Sequence, residues 1–195
     1  MSLSPAAPRR KFHTRNIVCD GYKRDDGLWD IEARILDTKA YAYDEPMRGR
    51  REAGDAVHDM RVRLTIDDEL LVHAIEVAMP ATPYGTCQGA MPAFQALVGK
   101  RIGLGWRRAV NDAVGGTRGC THVRELLFPM ATVAFQTIGG WSEDETGGSA
   151  DLERNRNARP YFIDGCKAWA SDGEVVARFH PQWAKRPAGV AEPER

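Results

Sequence analysis

A chain of 195 residues, 43% of them hydrophobic, can bury one sizeable core, so a single domain with trimmings is expected. Its 27 basic and 27 acidic residues cancel, which removes any broad electrostatic reason to bind nucleic acid or an anionic membrane. No apolar run approaches the ~20 residues needed to span a bilayer, and the first residues lack the apolar centre of a signal peptide. Cys19, Cys87, Cys120 and Cys166 contain no close pair. This fits a cytoplasmic chain whose thiols serve packing, metal binding or reactivity rather than disulfides.

Residues 1–10 are polar and Pro-rich and are expected to be disordered. A single domain is expected over 11–183, with its core in 57–138. Residues 11–36 read as a β-hairpin with a two-residue turn at Asp26-Gly27. That register sets Trp29, Ile31, Ala33 and Ile35 on one face with Tyr22 and Val18, and sets Lys23 opposite Asp30. The polar stretch from Asp37 to Ala56 reads as a long loop that covers something.

A second hairpin follows. His58, Met60, Val62, Leu64 and Ile66 alternate with Asp59, Arg61, Arg63 and Thr65. A turn at Asp67-Asp68 then puts Leu71, His73, Ile75 and Val77 on the same apolar face. Gly89 to Val98 reads as a short helix with Pro92 in its first turn. Trp106 to Val114 is a second helix closed by Gly115-Gly116. A long helix starts near Thr121 with an apolar stripe of Val123, Leu126, Leu127 and Met130, which Pro129 should kink or split. Residues 141–160 read as a mobile surface loop. Residues 161–183 are expected to pack back on the domain, and 184–195 to form a disordered tail. The whole is α+β: antiparallel hairpins packed against a layer of helices.

The candidate site lies between these elements. Cys87 falls between a strand end and a helix start, and Cys120 at the mouth of the long helix, where free N–H groups and the helix dipole favour a thiolate. His58 sits at the open end of a hairpin. A Cys/Cys/His set suits Zn²⁺ or Fe, so His58, Cys87 and Cys120 are the expected metal ligands. His122 or Asp59 is the expected fourth ligand or proton carrier. The plainer reading is that the cysteines are small buried residues, since the usual zinc spacings are absent. His73 reads as core or cleft lining, His13 ranks below it, and Cys166 becomes a ligand only if the C-terminal segment folds over the site. Asp30 and Glu32 share a face and could act as acid and base, but a solvated sheet face explains them as well. Gly103, Gly105, Arg107 and Arg108 lack the context of a nucleotide-binding loop.

The stretches DGLWDIE, HDMRVRLTIDD, IGLGWRRAV, RGCTHVREL and AFQTI resemble an uncharacterised bacterial domain-of-unknown-function family, over about Arg9 to Trp183. The resemblance implies an association with catabolism of aromatic or acyl-CoA compounds. Residues 57–138 also resemble the IscU/NifU N-terminal iron–sulfur scaffold in their order of hairpin, cysteine loop, helices and cysteine-led long helix. That resemblance implies that His58 stands in the first cysteine's place, with Asp59 as the nearby carboxylate, and that Cys87 and Cys120 stand in the second and third.

Together these readings lead to a small enzyme holding Zn²⁺ or Fe²⁺, a lyase or hydrolase acting on a small-molecule substrate, with a homo-oligomer compatible with the chain. Two rivals stand beside it: an iron–sulfur or metal scaffold protein, and a metal-free small-molecule binding module.

Overall fold

The computed structural model describes residues 3–139, 159–160 and 162–185. Apart from residues 159, 160, 184 and 185, the loop expected over 141–160 and the expected tail lie outside the described residues. Residues 3–12 carry no regular structure. The chain divides into two compact units, residues 1–140 and 141–195.

The first unit is built on one antiparallel sheet. Its strands are β1 (His13–Lys23), β2 (Trp29–Lys39), β5 (Ala56–Ile66) and β6 (Val72–Ala81), in the order β1-β2-β5-β6. The stretch read as a loop instead folds into a small hairpin of β3 (Tyr43–Glu45) and β4 (Gly49–Arg51). Arg48 ties it down by bonding Glu45 and donating to the carbonyls of Ala56 and Val57, both at 3.3 Å.

Both large hairpins turn through longer loops than the sequence suggests. In the first, Arg24 N–H donates to the Leu28 carbonyl at 2.9 Å, and Lys23 pairs with Trp29. The Asp26 carboxylate accepts from Arg24 and from the Leu28 N–H, which holds the wider turn. That is a one-residue change of register, and in a sheet it flips the whole strand. Tyr22 lies opposite Asp30 and Val18 opposite Arg34, so both are on the charged outer face. Their exposures of 48% and 54% agree. Lys23 stacks over the Trp29 ring at 4.1 Å rather than pairing with Asp30.

In the second hairpin the carboxylate of Asp67 accepts the N–H groups of Glu69 and Leu71, both at 2.9 Å, and this widens the turn. A bulge follows, so Val72 and Ile75 face inward. His73 is thereby turned out of the apolar face, where its Nε2 meets Asp67 at 2.8 Å.

Helical elements cover the inner face. Residues Gly85–Leu97 form a 3-10 segment rather than the expected helix from Gly89, and bury Phe94 and Leu97. Helix α1 (Trp106–Val114) runs over the expected residues and buries Trp106, Val110 and Val114. Helix α2 (Thr121–Gly139) is unbroken through Pro129, so the expected split does not occur. Its stripe of Val123, Leu126, Leu127, Met130 and Ala134 packs into one core with Ile31, Ile35, Met60 and Leu64. Trp106 Nε1–H donates to the Leu127 carbonyl at 2.9 Å and locks α1 to α2. Close approach of α2 to β1 requires Gly21, because a Cβ there would lie 2.0 Å from Thr137 Oγ1.

The described part of the second unit holds α3 (Glu174–Phe179) and a 3-10 turn at Pro181–Trp183. The Phe162 and Trp169 rings meet at 4.5 Å, and each lies 5.6 Å from the His180 ring. Asp164 accepts the Ser171 N–H at 2.8 Å. Cys166 is exposed.

Candidate metal centre

The site is assembled from one row across the sheet. On three neighbouring strands, Arg15 pairs with Asp37, and Asp37 pairs with His58. Directly paired residues of adjacent strands share a face, and this row lies on the inner one. Asp37 continues the inward alternation of Trp29, Ile31, Ala33 and Ile35 and is only 1% exposed. Helix α2 adds His122 from above. Its ring lies 3.8 Å from that of His58, centre to centre.

Arg15 grips Asp37 with a two-pronged fork, Nε and one terminal nitrogen each at 2.7 Å. Such charge-assisted pairs fix both position and orientation. His58 Nδ1 lies 2.9 Å from Asp37 Oδ2. A carboxylate only accepts, so Nδ1 carries the proton and Nε2 keeps its lone pair. His13 Nε2 approaches the other carboxylate oxygen at 3.4 Å.

The electrostatics follow from burial and these partners. Burial alone would raise the Asp37 pKa, but the hydrogen bonds and charge of Arg15, helped by His58, outweigh it and hold the carboxyl below its ordinary value. The His58 pKa is lowered chiefly by burial, against the pull of Asp37. That of His122 is lowered by burial first and then by His58. Both imidazoles are thus biased toward the neutral form, the form that ligates a metal.

One ligand atom from each of Asp37, His58 and His122 can be chosen so that all three lie within 4.8 Å of one another. Two imidazoles and a carboxylate at that spacing can hold a metal ion. No other such group of His, Cys, Asp or Glu occurs among the described residues.

Of the residues singled out in the sequence, His58 and His122 therefore meet, and Asp37 joins them. Cys120 stands beside them, its Sγ 3.9 Å from His122 Nδ1 and 3.7 Å from Met60 Sδ. Cys87 lines a cleft of about 520 Å³ together with Cys120, His122, Arg118, Thr86 and Thr117. Neither thiol is part of the Asp37 set. Asp59 sits one residue past His58 and so points to the other face, where Arg34 holds it at 2.8 and 2.9 Å and Arg61 at 3.4 Å. The ion pair of Glu32 with Arg63, at 2.7 Å, lies on that outer face too, and the Thr65 hydroxyl donates to Asp30, also at 2.7 Å. The residue that the sequence reading passed over is Asp37. Its signal was a charged residue at an inward strand position, which burial makes costly unless it is paired.

An α+β unit of four antiparallel strands, a small hairpin and a few helices, with a buried Asp37 beside the half-buried His58 and His122 at the end of its sheet, defines the class of this protein. Residues 13–136 match the family model described as "Protein of unknown function (DUF2889)", and the chain belongs to that family. No curated protein matches it. No solved structure matches it either, and the resemblance of residues 57–138 to the IscU/NifU scaffold is not shown by these comparisons. Among the described residues no helix is long and apolar enough to cross a membrane.

Proposed function

We propose that the protein is a small metal-dependent enzyme, a hydrolase or lyase, whose ion is held by Asp37, His58 and His122. The observation that carries this reading is the convergence of those three groups from β2, β5 and α2 within 4.8 Å. Two imidazoles and one carboxylate suit Zn²⁺ or Fe²⁺ and leave coordination positions for water and substrate. Bound there, the ion would supply Lewis-acid polarisation of a carbonyl or an activated water.

The residues around it have separate tasks. Arg15 positions Asp37 and balances its charge. Without an ion, Asp37 orients the His58 ring through the Nδ1 proton; an ion held by both residues would take the place of that proton between them. The cleft beside His122 admits a small organic molecule, and Arg118 at its wall favours one with an anionic group. An aromatic or acyl compound fits this reading.

A second reading is favoured by the Arg15 fork, which already occupies both oxygens of Asp37. In it Asp37 only orients His58, and the imidazole works as a metal-free general base.

Metal analysis separates the two. Protein purified without chelator and reconstituted with Zn²⁺ or Fe²⁺ should hold about one equivalent. His58→Ala and His122→Ala should each release it. A protein that stays metal-free after reconstitution rules the first reading out.

A further inference from the structure

We propose that Cys120, Met60 and His122 form a soft-metal site that takes a single Cu(I) ion. The proposal does not rest on the Asp37 centre, with which it shares only His122.

The argument starts from spacing. Cys120 Sγ lies 3.7 Å from Met60 Sδ and 3.9 Å from His122 Nδ1. With metal–sulfur bonds of ~2.3 Å and metal–nitrogen bonds of ~2.0 Å, tetrahedral to trigonal angles put two bound sulfurs about 3.8–4.0 Å apart and a bound sulfur and nitrogen about 3.5–3.7 Å apart. Cys120 therefore stands within a few tenths of an ångström of coordinating distance from both Met60 and His122.

Chemistry then selects the ion. Thiolate and thioether are soft donors, which favour Cu(I) over the harder divalent ions, and imidazole suits copper as well. A methionine sulfur is a poor partner for the Zn²⁺ or Fe²⁺ that a carboxylate and two imidazoles would take. The two donor sets thus differ in kind, hard toward Asp37 and soft toward Met60.

Position supports the same assignment. Met60 is fully buried on the inner face of β5, opposite Ile35, so its thioether is held by the core. Cys120 sits at the mouth of the 19-residue α2, where its carbonyl accepts the Arg124 N–H at 2.9 Å. Cys120 and His122 both open on the cleft, which gives the ion a way in. Packing alone would be satisfied by a leucine at 60 and a serine at 120, and neither would bind.

The test uses full-length protein, reduced and kept free of oxygen. It is titrated against Cu(I) buffered with bicinchoninate, whose colour reports the competition. One equivalent should be withdrawn from the chelator. Met60→Leu, which keeps the volume and removes the sulfur, should weaken binding about tenfold, and Cys120→Ser about a hundredfold or more. His58→Ala should leave Cu(I) affinity within about twofold while it removes any divalent ion from the Asp37 centre, so the two proposals can fail separately.

Unchanged affinity in Met60→Leu overturns the proposal. So does an equal loss in Cys87→Ser and Cys120→Ser, which would seat the ion between two thiols. Should Cys120→Ser not fold, the wild-type protein still decides. Cu(I) must slow alkylation of Cys120 by iodoacetamide, read by peptide mass, at least about tenfold, and unslowed alkylation overturns the site.

Discussion

Two arginine–aspartate forks hold the two faces of the same sheet, and they do different work. On the inner face Arg15 grips Asp37 at 2.7 and 2.7 Å. On the outer face Arg34 grips Asp59 at 2.8 and 2.9 Å. The geometry is nearly the same, and both carboxyls are held below their ordinary pKa, Asp37 by Arg15 and His58 against the opposing effect of burial, Asp59 chiefly by its bond to Arg34. The third partner differs. Asp37 has an imidazole at 2.9 Å, with a second imidazole stacked on that one. Asp59 has another arginine, Arg61, at 3.4 Å. A fork that covers a carboxylate with two exposed arginines satisfies charge. A fork under a helix, beside two neutral imidazoles, presents a carboxylate and ring nitrogens to one point.

The strongest way to break this contrast is to remove each aspartate. Asp37→Ala should destabilise the protein by about 2–3 kcal/mol, because it strips charge-assisted hydrogen bonds from Arg15 and His58 together, and it should abolish divalent-metal binding. Asp59→Ala should cost clearly less and leave metal binding as it was. Urea denaturation and metal analysis of the two variants check both statements, and equal behaviour would erase the distinction.

The inner face should also be the less tolerant of added volume. At Gly21 a Cβ would strike Thr137 of α2. Gly21→Ala should therefore cost about 1–3 kcal/mol, as overpacking of a close contact does. Val18→Ile, which adds a methylene on the outer face, should be nearly neutral in the same melt.

A third expectation concerns pH. His58 and His122 have folded pKa values below their ordinary value of 6.5, so below that point the unfolded chain binds more protons than the folded one. In metal-free protein the stability they contribute is complete above about pH 6.5 and declines as pH falls below it. The lowered carboxyls of Asp37 and Asp59 add their own loss only further down, as pH falls through their folded pKa values. His58→Gln combined with His122→Gln should remove the first decline and leave the second. Chemical denaturation at a series of pH values shows this, and a decline unchanged by the double substitution would assign it elsewhere.

The smallest effect should come from the exposed pairs. Arg63 bonds Glu32 at 2.7 Å and Glu76 at 3.4 Å. Arg63→Ala should nevertheless shift stability by no more than about 0.5 kcal/mol, since solvent and salt screen such pairs. A larger shift would mean that the outer face also carries organised structure.

How much of this could be read before folding varies by element. Helix α1 over Trp106–Val114 and the start of α2 at Thr121 follow from apolar period and from the glycines that bracket them. The inward alternation of β2 and β5 is equally plain. The turns are not, because side-chain carboxylates at Asp26 and Asp67 recruit backbone N–H groups and lengthen each loop. That moved Tyr22, Val18 and His73 to the outside. The site was half visible: His58 and His122 stood out as residue types, and Cys120 pointed to the same helix mouth. Asp37 was hidden at the end of a strand that seemed to stop one residue earlier.

By itself, then, the order of residues determined the strands β2 and β5 with their inward faces and the helices α1 and α2 with their apolar stripes, because period is a property of neighbours in sequence. Only the tertiary structure decided that positions 15, 37 and 58 lie in one row and that position 122 closes over them. Strand register fixes that row, and register depends on loop geometry and on one face being buried under α2, neither of which any short stretch of sequence contains.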